Sequence, residues 1–83
     1  GMYPLGSMAR LGSGELAVVY HNGTDPTEFE RPWVRVLVDS AGQVIRRTVI
    51  RNLASVEGPE GRIASTARAS EAPGLDLGMA LFV

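Results

Sequence analysis

The chain has 83 residues, no cysteine, one histidine and a formal net charge of −1. That length sets one small domain able to bury roughly 60% of its unfolded surface, so its core is marginal unless self-association adds to it. The missing cysteines exclude a disulfide framework and a thiolate metal site, and the near-neutral charge argues against the basic footprint of a nucleic-acid binder.

Gly1 ahead of Met2 reads as a remnant of tag removal and is set aside. No apolar run approaches the about 20 residues of a membrane span, and no apolar signal region follows the N-terminus. A cytoplasmic setting without membrane contact is expected. Tyr3-Pro-Leu-Gly6 reads as an ordered lead-in, since Pro4 fixes φ and Gly6 can turn. Residues 8–11 are a short strand candidate, and Gly12-Ser-Gly14 supplies the turn of a hairpin. In residues 15–21, Leu16, Val18 and Tyr20 fall on one face of a strand, and Ala17, Val19 and His21 on the other. Both sets are mostly apolar, which predicts a strand in the middle of a barrel wall.

Residues 22–32 carry Asn-Gly, Asp-Pro and Arg-Pro, all loop signals, together with Asp25, Glu28 and Glu30. Residues 33–39 alternate, predicting Val34, Val36 and Val38 inward and Arg35 and Asp39 outward. Trp33 is expected to anchor core or interface packing. Ser40-Ala-Gly42 closes a second hairpin, and residues 43–53 read as a strand bent in its middle with its arginines facing solvent. Glu57-Gly-Pro-Glu-Gly61 breaks the chain. The Ala- and Ser-rich residues 63–72 fit a weak helix, an edge strand or a linker. After Pro73-Gly74 comes an apolar tail with Leu75, Leu77, Met79, Leu81 and Phe82, read as a docking segment whose alternation suits a strand and whose Leu77–Leu81 spacing suits a helical turn. The organisation expected is a β module over residues 3–54, a connecting stretch over 55–74 and the docking tail over 75–83.

The chemistry-bearing residues are few. A metal site at His21 with Asp25, Glu28 or Glu30 can be drawn, but transition metals take more nitrogen or sulfur ligands than one histidine provides. Without a cysteine, a second histidine or a G-x-S-x-G elbow, no hydrolytic triad can be assembled. The expectation is therefore no catalytic residue, no metal and no cofactor. Arg46, Arg47 and Arg51 form a small basic cluster suited to an anionic ligand. Arg47-Thr-Val-Ile-Arg51 resembles the R-x-x-x-R half of the PilZ signature, which binds cyclic di-GMP. Asn52-Leu-Ala-Ser-Val-Glu-Gly58 is similar to the second half but one residue too long, and it abuts the first half where the family separates them.

A longer resemblance runs through Tyr3-Pro-Leu-Gly-Ser7, Arg10-Leu11, Gly14-Glu-Leu-Ala-Val-Val19, Asn22, Arg31-Pro32, Val34-Arg-Val36, Asp39, Gly42 and Ile45. In order and spacing these residues resemble the segment that follows the catalytic domain of HD-GYP cyclic-di-GMP phosphodiesterases, over about residues 3–53. The metal ligands of that family's catalytic domain are absent. The resemblance thus implies an accessory module without phosphodiesterase activity, placed beside an HD-GYP catalytic domain in a signalling protein.

The fold expected is all-β: a small SH3-like or strongly bent antiparallel barrel of about five strands with an irregular C-terminal segment, since hairpin-linked strands twist and a small sheet must hide its edges. The expected function is a non-catalytic interaction module of an HD-GYP-type protein, with Trp33, Leu75, Leu77, Leu81 and Phe82 as interaction residues and a protein partner or the neighbouring catalytic domain as its target. A homodimer through the tail is also expected. The alternatives are a module binding a cyclic-dinucleotide-like anion through Arg46, Arg47 and Arg51, and an SH3-like domain binding a peptide or nucleic acid.

Overall fold

A computed structural model describes residues 3–22 and 30–71. Five strands form one antiparallel sheet: β1 (Met8–Leu11), β2 (Leu16–His21), β3 (Trp33–Val38), β4 (Ile50–Asn52) and β5 (Ile63–Ala67). Their order across the sheet is β4-β3-β2-β1-β5, so the first four strands run as a meander and the last returns to pair with β1. Helical structure among the described residues is limited to three short 3-10 turns, Leu53–Ser55, Pro59–Gly61 and Ala69–Glu71. The all-β expectation holds, and β2 is the central strand, as its two apolar faces require.

The turns follow from local chemistry. Ser7 donates through both its N–H and its hydroxyl to the Pro4 carbonyl, at 3.1 and 2.6 Å. That turn lets Gly6 N–H reach the Val19 carbonyl while Val19 N–H reaches Ser7, which continues the β1–β2 ladder into the lead-in. In the second hairpin one Asp39 carboxylate oxygen accepts from the Ala41 and Gln43 N–H groups, both at 2.9 Å. Gly42 completes that turn at φ +86°, a backbone region costly for any residue with a Cβ.

The strand expected over residues 43–53 is present in two pieces. Val44 bridges to Val38 and Ile45 N–H donates to Leu37, then contact resumes where Val36 N–H donates to Val49. Between them, Arg46, Arg47 and Thr48 stand away from the ladder and are exposed, which is the bend read from the sequence. Of the three readings open for residues 63–72, the structure selects the edge strand: Ile63–Ala67 pairs along β1, from Met8 opposite Ala67 to Leu11 opposite Ile63.

Two apolar clusters lie on opposite faces of the sheet. The interior one gathers Leu11, Ala17, Val34, Val36 and Leu53, with Ile45, Val49 and Ile63 packed on it. Because Val49 precedes β4 and Ile63 opens β5, residues from both edges meet in this cluster, and the sheet bends around it. The other cluster is Met8, Leu16, Val18, Leu37 and Val38, with Ala67 against it.

Two irregularities of register between β2 and β3 decide which of their side chains face where. Leu16 pairs with Val38 and Ala17 with Val36, so Leu37 is an extra residue in β3; Val19 pairs with Val34 and His21 with Trp33, so Tyr20 is an extra residue in β2. Past the first bulge the alternation of β3 resets. Val34 and Val36 face the interior as expected, whereas Val38 is buried in the outer cluster. Arg35, expected to face solvent, is only 4% exposed. Its cross-strand partner is Val18, a member of the outer cluster, so the face opposite Val34 is itself a buried face and not a wet one.

Candidate functional site

The outer face divides into a buried centre and an exposed corner. Along it run Ile50, Arg35, Val18, Met8 and Ala67, each opposite the next on neighbouring strands. Trp33 is two residues before Arg35 on β3 and shares its side of the sheet. Trp33 is 40% exposed, Tyr20 45% and Ile50 36%, although β3 beyond Trp33 is buried along its length. Trp33 is therefore not the core anchor that its size suggests. Two aromatic side chains and an isoleucine at one corner of a sheet form the kind of rigid, amphipathic contact area that protein partners use. Regular alternation groups Tyr20 with Leu16 and Val18 as a core residue, and the bulge at Tyr20 has no sequence signature.

The arginines expected to gather around an anion are placed differently from one another. Arg46 and Arg47 are exposed in the interruption between the two pieces that pair with β3. Arg51 is half-buried and engaged, a correction to the expectation that it faces solvent. Its Nη1 and Nη2 donate to Oε1 and Oε2 of Glu15 at 2.7 and 3.0 Å, and Nη1 also donates to the Glu60 carbonyl at 3.1 Å. The Ser13 hydroxyl donates to the same Glu15 Oε1 at 2.6 Å. The Arg51 hydrogen bonds hold the Glu15 carboxyl below the usual carboxylate range, outweighing the opposing effect of burial, with Ser13 adding to them. Glu15 in turn raises Arg51. This bidentate pair joins the start of β2 to β4 and to the Pro59–Gly61 turn, and so fastens one end of the bent sheet.

The residues similar to the second half of the PilZ signature also have local duties. Asn52 Oδ1 accepts from Ala54 N–H at 3.1 Å and its Nδ2 donates to the Ser55 hydroxyl at 3.0 Å, capping the first 3-10 turn. His21 ends β2 opposite Trp33 and is exposed, as is Glu30. Asp25 and Glu28, the other groups of the drawn metal site, lie outside the described residues, as do Leu75, Leu77, Met79, Leu81 and Phe82 of the tail. Among the described residues no group of three or more potential ligands is placed to hold a metal ion, and no helix is long and apolar enough to cross a membrane.

A second ion pair stands at the same hairpin end of β1, on Arg10. Arg10 Nη2 donates to Glu71 Oε1 at 2.9 Å, its Nη1 donates to the Gly14 carbonyl at 2.9 Å, and Glu71 Oε2 accepts from the Arg68 N–H at 2.8 Å. The Arg10 hydrogen bond, followed by that from the Arg68 backbone, lowers the Glu71 carboxyl. Comparison of the chain with family models, with curated proteins and with solved structures finds no match.

Proposed function

We propose that this chain is a non-catalytic interaction module of an HD-GYP-type bacterial signalling protein, docking on the HD-GYP catalytic domain through Tyr20, Trp33 and Ile50. The observation that carries the reading is the exposed aromatic corner, in which Trp33 and Tyr20 are 40% and 45% exposed at the edge of an otherwise buried sheet face. Side chains of this kind carry a disproportionate share of binding energy when a partner removes them from water. The resemblance of residues 3–53 to the segment following HD-GYP catalytic domains supplies the partner.

The anion-binding reading has less support. Arg51 already satisfies a carboxylate with both of its terminal nitrogens, leaving exposed Arg46 and Arg47 as the groups open to a nucleotide. Two exposed arginines between two strand pieces also describe an ordinary solvated loop.

Calorimetric titration of the chain into an HD-GYP catalytic domain tests the proposal, with Trp33→Ala and Tyr20→Ala beside the unaltered chain. Binding is expected to weaken at least tenfold with Trp33→Ala, the size of a modest hot spot. Equal affinity for all three chains removes the corner from the interface. No heat with any of them removes the catalytic domain as the partner.

A further inference from the structure

Three residues far apart in sequence line one open depression of about 380 Å³: Tyr3 in the lead-in, Arg31 ahead of β3 and Arg62 ahead of β5, with Glu30 and Ile63 completing the wall. That volume falls within the range of about 300–1,000 Å³ usual for small-molecule sites. None of Arg46, Arg47 and Arg51 lines it, and neither does the Tyr20–Trp33–Ile50 corner.

Each of the three stands on backbone that is tied down beside it. Ser7 closes a turn onto the Pro4 carbonyl, next to Tyr3. Pro32, which follows Arg31, is fully buried, and its carbonyl accepts from Leu53 N–H at 3.2 Å. Arg62 N–H donates to the Pro59 carbonyl at 3.4 Å, and the Arg62 carbonyl accepts from Gly12 N–H at 2.8 Å. The charged side chains, in contrast, are uncommitted. Arg31, Arg62 and Glu30 are exposed, and among the described residues neither guanidinium makes a side-chain hydrogen bond or an ion pair, with Glu30 or with any other group. Arg10 and Arg51 each hold a carboxylate already.

Gly12 leaves room for one of these arginines. Its backbone is not in the left-handed region, so the conformation does not call for a glycine. A Cβ there would stand 2.9 Å from Arg62 Nη2 and 3.1 Å from the Pro59 carbonyl oxygen. The absence of a side chain lets the Arg62 guanidinium lie against the β1–β2 turn.

The chemistry of the lining selects a ligand class. Two planar guanidinium forks suit a phosphate, whose oxygens accept paired N–H bonds. Tyr3 supplies an aromatic ring on which a flat base can stack. Glu30 accepts hydrogen bonds and donates none, so it favours a ligand with N–H or O–H groups and repels a bare anion. We infer that this depression binds a nucleoside monophosphate, with Arg31 and Arg62 on the phosphate, Tyr3 against the base and Glu30 accepting from a hydroxyl or amino group. The site is independent of docking through the aromatic corner, and its test uses the chain alone.

The test is separate titration of the ¹⁵N-labelled full chain, at low salt, with adenosine 5′-monophosphate, inorganic phosphate and adenosine. The monophosphate is expected to shift the amides of Tyr3, Arg31, Arg62 and Ile63, and to bind at least about tenfold more tightly than phosphate or adenosine. Arg31→Gln and Arg62→Gln should each weaken it at least about tenfold and Tyr3→Leu at least about threefold, whereas Arg46→Gln should leave it within about twofold. Phosphate binding as tightly as the monophosphate would mean an adventitious ion only and overturn the inference. So would adenosine binding equally well, no shifts at about 10 mM monophosphate, or an affinity lost with Arg46→Gln and kept with Arg62→Gln. The three titrants on the unaltered chain decide the matter even if a variant fails to fold.

Discussion

Replacing Arg51 by methionine removes the Glu15–Arg51 pair while keeping a stem of similar length, and it should cost about 2 kcal/mol. Exposed ion pairs contribute about 0–1 kcal/mol, and breaking a fully buried pair costs about 3–5 kcal/mol. With Arg51 and Glu15 side chains 21% and 13% exposed, and two charge-assisted hydrogen bonds lost together, this pair falls between those limits. For a domain of this size about 2 kcal/mol lowers the melting temperature by roughly 8–16 °C. The pH dependence has a definite sign. Folding holds the Glu15 carboxyl below its ordinary value, so the unfolded chain takes up the proton first as pH falls. The contribution is complete above the unfolded carboxylate range, about pH 4–5, and is lost as pH drops through the folded-state value. Urea unfolding followed by the fluorescence of Trp33, the single tryptophan, gives the comparison at pH 7 and pH 3. A double-mutant cycle with Glu15→Gln removes the contribution of the Arg51 bond to the Glu60 carbonyl. Coupling of at least about 1 kcal/mol at pH 7, shrinking at pH 3, is expected. Coupling under about 0.5 kcal/mol at pH 7, or coupling that does not change with pH, would refute the clasp.

Val36→Asp should leave no folded protein, because it places a charge in the interior cluster at a cost of several kcal/mol; a dispersed amide NMR spectrum from this variant would contradict the face assignment. Arg35→Ala should destabilise by more than about 1 kcal/mol and Arg46→Ala by less than about 0.5, since the first is buried and the second exposed; equal urea midpoints would return Arg35 to the solvent face. Gly61→Ala should cost about 1–3 kcal/mol in the same assay, because a Cβ there collides with the Val56 carbonyl and the neighbouring backbone must move; an unchanged midpoint would show that the turn yields freely.

Much of the sheet was legible in the residues. The doubly apolar alternation of residues 15–21 marks a central strand, and the glycine turns at 12–14 and 40–42 place its two neighbours. The bend in the strand after Gly42 follows from the Arg46-Arg47-Thr48 interruption of an apolar run. β5 is ambiguous in the sequence because Ile63-Ala-Ser-Thr-Ala67 lacks an apolar alternation of its own; pairing with β1 makes it a strand, and pairing is a long-range fact. Arg35 departs from the expected solvent face for a different reason. Alternation with valines assigns it to the opposite face correctly, but only the tertiary structure makes that face dry. The bulge at Leu37 moves Val38 off the side of Val34 and Val36, and the bulge at Tyr20 sets His21 opposite Trp33 and off the side of Val19; each resets the period of two without altering composition. The candidate site was legible in part. Trp33 stands out by type, whereas Tyr20 and Ile50 join it only through register. Arg51 left the basic cluster because its partner, Glu15, lies 36 residues away in sequence.

The most direct test of the docking surface is the ¹⁵N spectrum of the labelled chain during titration with an unlabelled HD-GYP catalytic domain. The single indole N–H of Trp33 is a resolved reporter at the centre of the exposed corner. Docking through that corner requires the indole signal and the amides of Tyr20 and Ile50 to shift or broaden together, with those of Arg46 and Arg47 left in place. Unchanged Trp33, Tyr20 and Ile50 signals at saturating catalytic domain, or shifts confined to Arg46 and Arg47 on addition of cyclic di-GMP alone, would contradict it.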